Sequence, residues 1–195
     1  MIFGDKFYVY LNKLRPWQQS LFALILAERM RINYLLFCQM TDDKKRDFSF
    51  NNAINTMWKY HSDKFNHIDL KALAKSLDKL IFEANDEASF GVLAANDAVG
   101  ALMCAVNAIV EKKLDEAVIA SNISEQCVAR FIAVQRGEEL SDDDLLEDEL
   151  MQEEMNFQID LMNQFRMDDR SKIKPLVICD EIRSSKVSNI GISLD

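Results

Sequence analysis

The stretch from residue 17 to residue 41, WQQSLFALILAERMRINYLLFCQMT, constrains the fold most, because its apolar residues recur at helical spacing and one of them is replaced by a carboxylate. At about 100° per residue, Glu28 projects within about 20° of Trp17 and Leu21 and about 40° of Leu24. An ionised side chain on such a face is costly unless something pairs with it. Arg130 or another basic residue is therefore expected opposite Glu28. Without such a partner, burial would raise the pKa of Glu28 and suit it to acid or base work.

The rest of the chain reads as helix in the same way. Only 5 glycines and 2 prolines interrupt 195 residues, which leaves little material for hairpin turns. Pro16 starts a helix that runs to about Arg31, and Asn33 caps a shorter one through Met40. Residues 41–47, TDDKKRD, read as a solvated loop, and 50–65 as a helix with Ile54, Met57, Trp58 and Phe65 on its apolar side. Asp69 caps the next helix, on which Leu70, Leu73, Leu77, Leu80 and Ile81 share a face. Residues 85–91 form a loop before a long apolar helix over 91–113. Asp115 starts a further helix that Gly137 stops, with Arg136 placed to suit the dipole. Ser141 opens a last helical region that continues, with one break, to near Ser184, and Pro175 should kink or divide it. The ending 188–195, SNIGISLD, reads as a docked extended tail. The expectation is one all-α domain over 1–195, a multi-helical bundle with the 91–113 helix buried at its centre.

Charge is unevenly spread. The net charge is −9, yet residues 138–169 hold thirteen acidic residues and one base, Arg166, leaving the remainder at +3. That balance argues against direct nucleic-acid binding, which needs a phosphate-tracking basic surface. It leaves open a basic protein partner, or a mildly basic surface on the rest of the same molecule. The four cysteines form no CxxC pair and fall in helical segments, so reduced, buried thiols in the cytoplasm are expected. No signal peptide is apparent at the start. Residues 91–110 have the length of a membrane span, but Asn96, Asp97 and Asn107 lie inside it, so a buried helix of a soluble bundle is the better reading and no membrane partner is expected.

The 91–113 helix has two apolar faces. Val99, Leu102, Val106 and Ile109 are bulky; opposite them Ala94, Ala101 and Ala108 alternate with Asp97, Cys104 and Glu111. Small residues let a neighbouring helix approach closely, which places Asp97 in a tight seam. A structural bond to an amide or arginine is the plainer outcome for Asp97, and a ligand-binding role the sharper one. Were Glu28 and Asp97 to face each other, a shared proton or a metal would become reasonable. His61 and His67 stand six apart and share no helical face, and there is no Glu-x-x-His pair, Cys/His cluster, phosphate loop or nucleophile elbow. No metal and no cofactor are expected.

Several short segments occur in order: WQ at 17–18, ERM at 28–30, NY at 33–34, FCQ at 37–39, DA at 97–98, QRGEELSDDDL from Gln135 and SNIGI from Ser188. Together they resemble the YjaG-like family of small bacterial cytosolic proteins, a family of unknown function, over nearly the whole chain. The resemblance implies an all-α single-domain fold and brings no activity or catalytic residue. Two positions depart from the pattern. Ile32 stands where the family often has proline, so a smoother join of the first two helices is expected, and Pro175 interrupts a terminal helix that the pattern leaves unbroken.

Two functions follow as expectations. The first is a non-enzymatic interaction protein that uses the acidic region, with Asp142, Asp143 and Asp144 as contacts to a basic partner, and with homo-oligomerisation through a helical surface or the tail. A DNA-mimic-like role towards a basic DNA-binding protein is a narrower form of it. The second is an enzyme or small-ligand binder built on Glu28 and Asp97, with Arg29, Asn33 and Tyr34 nearby.

Overall fold

The computed structural model describes residues 2–62, 67–85, 88–112, 115–138, 140–167 and 170–194. They form nine α-helices: α1 (Asp5–Asn12), α2 (Pro16–Met40), α3 (Lys44–Ser62), α4 (Leu70–Leu77), α5 (Phe90–Val110), α6 (Glu116–Arg136), α7 (Asp142–Glu147), α8 (Glu149–Met167) and α9 (Pro175–Ser185). A 3-10 turn, Asp78–Leu80, follows α4. Among the described residues the β-structure is a single antiparallel bridge between Val187 and Ser193. The fold is all-α, as the spacing of apolar residues predicts.

The α2–α5 pair is the most extensive contact in the molecule, and α6 packs against both. Leu24, Leu26, Ala98, Leu102 and Ala105 of these two helices are fully buried. Truncating one such leucine to alanine typically costs about 2–5 kcal/mol. The small face of α5 turns to α6: Asp97 bonds Arg130, and a Cβ added at Gly100 would stand 3.2 Å from Ile123 Cδ1. The close approach of α2 shows in the Ser20 hydroxyl, which donates to the Ala105 carbonyl at 2.6 Å. Both α5 and α6 are long and apolar enough to cross a membrane, but the bundle buries 56% and 44% of their most apolar windows.

Local signals placed most boundaries. Pro16 occupies the first turn of α2, and the Asp69 carboxylate accepts from the Ala72 amide. Gly137 ends α6 in the left-handed region at φ +71°, and Ser141 and Asp144 form a capping box on α7. The acidic region breaks at Asp148, and Pro175 divides α8 from α9, as expected.

Four expectations are corrected. No break follows Arg31: α2 is continuous to Met40, because the Asn33 side chain donates to Asn189 Oδ1 at 3.0 Å instead of capping a new helix. The loop predicted over 41–47 is shorter, since Asp43 accepts from the Arg46 amide at 2.9 Å and α3 starts at Lys44. Helix α4 stops at Leu77, and Ile81 is exposed outside it. The central helix runs 90–110, not 91–113. Phe65 and Lys113, assigned to helices by their spacing, lie outside the described residues, as do Glu139, Asp168, Asp169 and Asp195 of the acidic region and tail.

The tail docks onto its own chain. Ser188, Asn189 and Ile190 are buried, and Gly191 takes φ +74° to turn the chain back. The Asn189 amide donates to the Arg29 carbonyl at 3.2 Å, and its side chain donates to Ser124 Oγ at 3.2 Å.

Candidate functional site

Glu28 is buried in α2 and is saturated with donors. Arg31 Nε and Arg183 Nε reach Oε1 at 2.8 and 2.9 Å; Arg183 Nη2 and the Trp58 indole reach Oε2 at 2.9 and 2.6 Å. The basic partner expected opposite Glu28 is therefore Arg31 and Arg183 rather than Arg130, which pairs with Asp97 instead. The hydrogen bonds and charge of Glu28 raise the pKa of Arg183. Asn51 and Asn55 of α3 hold Arg31 and Arg183 in turn, at 2.9 and 2.8 Å. This cluster ties α2, α3 and α9 together. With four donors on two oxygens, the carboxylate has no site left for a substrate proton.

Asp97 belongs to a separate cluster. Burial raises its pKa, while the charge of Arg130 and hydrogen bonds from Arg130 and Cys127 oppose the rise. It shares no partner with Glu28 among the described residues, so the structure does not bring these carboxylates into one cluster. Asn33 lies in a third group, a buried polar seam. In it Asn33 bonds Asn189, Asn189 bonds Ser124, and Ser124 and Gln158 both donate to Glu154 Oε1 at 2.6 Å. Arg29 closes the seam by an ion pair with the fully buried Glu154. Tyr34 is structural: its hydroxyl donates to the Leu80 carbonyl at 2.9 Å and its ring stacks on Phe50 at 4.2 Å. Of the five candidates, Glu28, Asn33 and Tyr34 are buried and Arg29 and Asp97 are part-buried; of these two, Arg29 lines an open surface.

That surface is a groove of ≈ 550 Å³ between α8, α9 and the tail. Phe157 and Leu161 of α8, Ile178 and Ile182 of α9, Ile25 of α2 and Val187 of the tail make its apolar lining. The Arg29 guanidinium lies 3.9 Å from the centre of the Phe157 ring, which fixes one wall. Glu153, Asp160 and Glu181 line the same groove and are exposed, and their carboxylates have no ion-pair partner among the described residues. Glu153 also lines a shallower hollow with Glu147, Asp148 and Glu149, where Arg136 pairs with Asp148 at 2.7 Å. The acidic surface is therefore continuous along α8.

Asp142, Asp143 and Asp144 are exposed on α7, which packs on α8. Asp144 is committed to its cap, where hydrogen bonds from Ser141 lower its pKa. The acidic region thus contributes one wall of a groove whose other wall, with Glu181, Ile178 and Ile182, comes from α9. That second wall was missed in the sequence, although Ile178 and Ile182 stand at helical spacing with Glu181 between them.

The titratable nucleophiles are unpromising. Burial raises Cys38 to about 12 and Cys179 to about 11, and it raises Cys104 and Cys127 as well. All four thiols are protonated at neutral pH. Burial, with the charge of Arg170 in second place, lowers His61 to about 3. Among the described residues, no group of three or more His, Cys, Asp or Glu could hold a metal ion.

Comparisons with known proteins agree in range and content. The profile of a family described as "Protein of unknown function (DUF416)" matches residues 6–193. An uncharacterised protein of Haemophilus influenzae is 33% identical over 184 residues, covering 93% of this chain and 94% of its own length. The uncharacterised protein YjaG of Escherichia coli is 30% identical over 186 residues, covering 93% of each. The crystal structure of a DUF416 family protein from Shewanella baltica OS155 superposes with a TM-score of 0.83 at 27% identity, covering 98% of this chain and all of that one.

Proposed function

This chain belongs to DUF416, a family whose description assigns no activity, and we propose that it is a non-enzymatic binding protein that holds a basic, amphipathic segment of a protein partner in the α8–α9 groove. One observation carries the reading: an apolar floor sits beside three exposed carboxylates that have no ion-pair partner among the described residues. A contiguous apolar patch with a charged rim is the usual form of a protein-binding surface. Helices dock in such grooves through apolar side chains three and four residues apart, and lysines or arginines on the flanks of such a helix would meet Glu153, Asp160 and Glu181. The acidic strip along α8, with Asp142 and Asp143 beyond it, would attract a basic partner and raise the encounter rate. Protonated thiols and saturated carboxylates favour binding over catalysis. Four free buried cysteines fit a reducing cytosol.

The test uses an 18-residue helical peptide of alternating lysine and leucine faces, labelled with fluorescein and followed by anisotropy. Saturable binding should weaken at least tenfold with E153K/D160K and also with I182S. It should weaken only a few-fold with D142K/D143K, which act through the field alone. Absence of saturable binding, or indifference to both E153K/D160K and I182S, would overturn the proposal.

A further inference from the structure

A second cleft, at the opposite end of the charge scale, lies where the α1–α2 connection meets the end of α8. Its outer part, ≈ 470 Å³, is lined by Tyr10, Lys13, Arg15, Trp17, Arg166 and Arg170 among others. Its inner part, ≈ 290 Å³, is lined by Trp17, His61, Arg170 and Ile173. Trp17 and Arg170 line both, so the two parts adjoin. Four cations converge here in a chain of net charge −9, and none has an ion-pair partner among the described residues. Among the described residues, no acidic one lines either part. Asp168 and Asp169, between the two arginines in sequence, lie outside the described residues.

Three of the four cations lie against rings. The Arg166 guanidinium lies 3.7 Å from the centre of Tyr10, Lys13 Nζ lies 5.6 Å from the same ring, and Arg170 lies 5.4 Å from Trp17. A guanidinium over an aromatic face keeps its N–H edge available for a bidentate acceptor. Gln18 does not compete for a ligand, because it accepts from the Arg15 amide at 2.8 Å and donates to the Phe165 carbonyl at 2.6 Å.

The inner end has a different requirement. Ser20 has one hydroxyl proton and gives it to the Ala105 carbonyl, so it accepts from His61 Nε2–H at 2.9 Å. That assigns the tautomer and leaves Nδ1 as a lone-pair acceptor. Nδ1 is buried and has no hydrogen-bond partner among the described residues, in a residue only 6% exposed. A buried acceptor left unmatched in this way asks for a donor.

We infer that this cleft binds a small hydroxylated phosphate monoester, with the phosphate among Arg15, Arg166 and Arg170 and a hydroxyl donating to His61 Nδ1. A doubly charged phosphate matches several unpaired cations better than a single carboxylate does. The combined space suits a small ligand rather than a polymer, since ligand pockets run about 300–1,000 Å³ and this one ends at a buried imidazole. The site shares no residue with the α8–α9 groove, so it stands or falls independently of the protein-binding reading.

Isothermal titration calorimetry with ribose 5-phosphate, glycerol 3-phosphate and adenosine 5′-monophosphate as probes tests it, with inorganic phosphate and free ribose as controls. At least one monoester should saturate one site per chain more tightly than inorganic phosphate, and ribose should give no heat. R166A/R170A, two exposed substitutions compatible with folding, should weaken the monoester at least tenfold. H61L should weaken the monoester severalfold and leave inorganic phosphate unchanged. No saturable binding by any of the three monoesters overturns the inference. So does binding that R166A/R170A leaves intact, or capture of a single-stranded RNA oligomer in their place.

Discussion

His61 makes the stability of this protein depend on pH in a direction that can be worked out. Its folded pKa is lowered to about 3, first by burial and then by the charge of Arg170, from an ordinary value of 6.5. Between those values the unfolded chain binds a proton that the folded chain does not, so stability rises with pH and is lost as pH falls below 6.5. From pH 7.5 to pH 5 the loss is about 2 kcal/mol. It hardly depends on how low the folded value lies, because at pH 5 the folded imidazole is already almost wholly neutral. Asp97 and Glu125, whose pKa values burial raises, contribute in the opposite sense. The comparison is therefore wild type against H61Q, which keeps an N–H for Ser20 and does not titrate. Urea unfolding at pH 7.5 and pH 5 should show wild type losing about 2 kcal/mol more than H61Q over that interval, whatever their absolute difference. Curves that stay parallel between the two pH values would refute the burial of a neutral imidazole.

Three further outcomes are expected. E28A leaves Arg31, Arg183 and the Trp58 indole without their shared acceptor and should destabilise by about 3–5 kcal/mol; a loss under about 1 kcal/mol in urea would show that the cluster is not a coupled unit. N189A removes the bonds from Asn33 and to Ser124 and should cost about 1–3 kcal/mol, with faster amide exchange across the tail; unchanged exchange would contradict its docking. Ellman's reagent at pH 8 should modify none of Cys38, Cys104, Cys127 and Cys179 in the folded protein and all four after unfolding; rapid reaction of any native thiol would contradict their raised pKa values.

Features set by neighbours in sequence were legible before the fold was known. Pro16, Asp69, Gly137 and Ser141 mark helix ends because caps act within a single turn. The apolar periodicity over 91–113 identified the central helix, although the helix itself runs 90–110. Asp97 in its tight seam was also foreseen, and Arg130 on the facing helix meets it. Pairings across the chain were not legible. Asn33 has the composition of a cap, but its partner Asn189 lies 156 residues away, and Glu28 meets Arg183 155 residues away. Both residues belong to segments that carry the family resemblance, and both serve the packing of α2 against the C-terminal elements. The acidic region could be read as charge alone; its apolar complement needed α9 and the tail beside α8. The basic cleft was invisible for the same reason, since Lys13 and Arg15 lie near one end of the chain and Arg166 and Arg170 near the other.

The most direct test of the groove is a chemical-shift map of the methyl-labelled protein titrated with the lysine–leucine peptide. Shifts concentrated on Ile25, Leu161, Ile178, Ile182 and Val187, and abolished by E153K/D160K, are the predicted result. Shifts spread over the surface, or gathered anywhere other than the α8–α9 face, would contradict it.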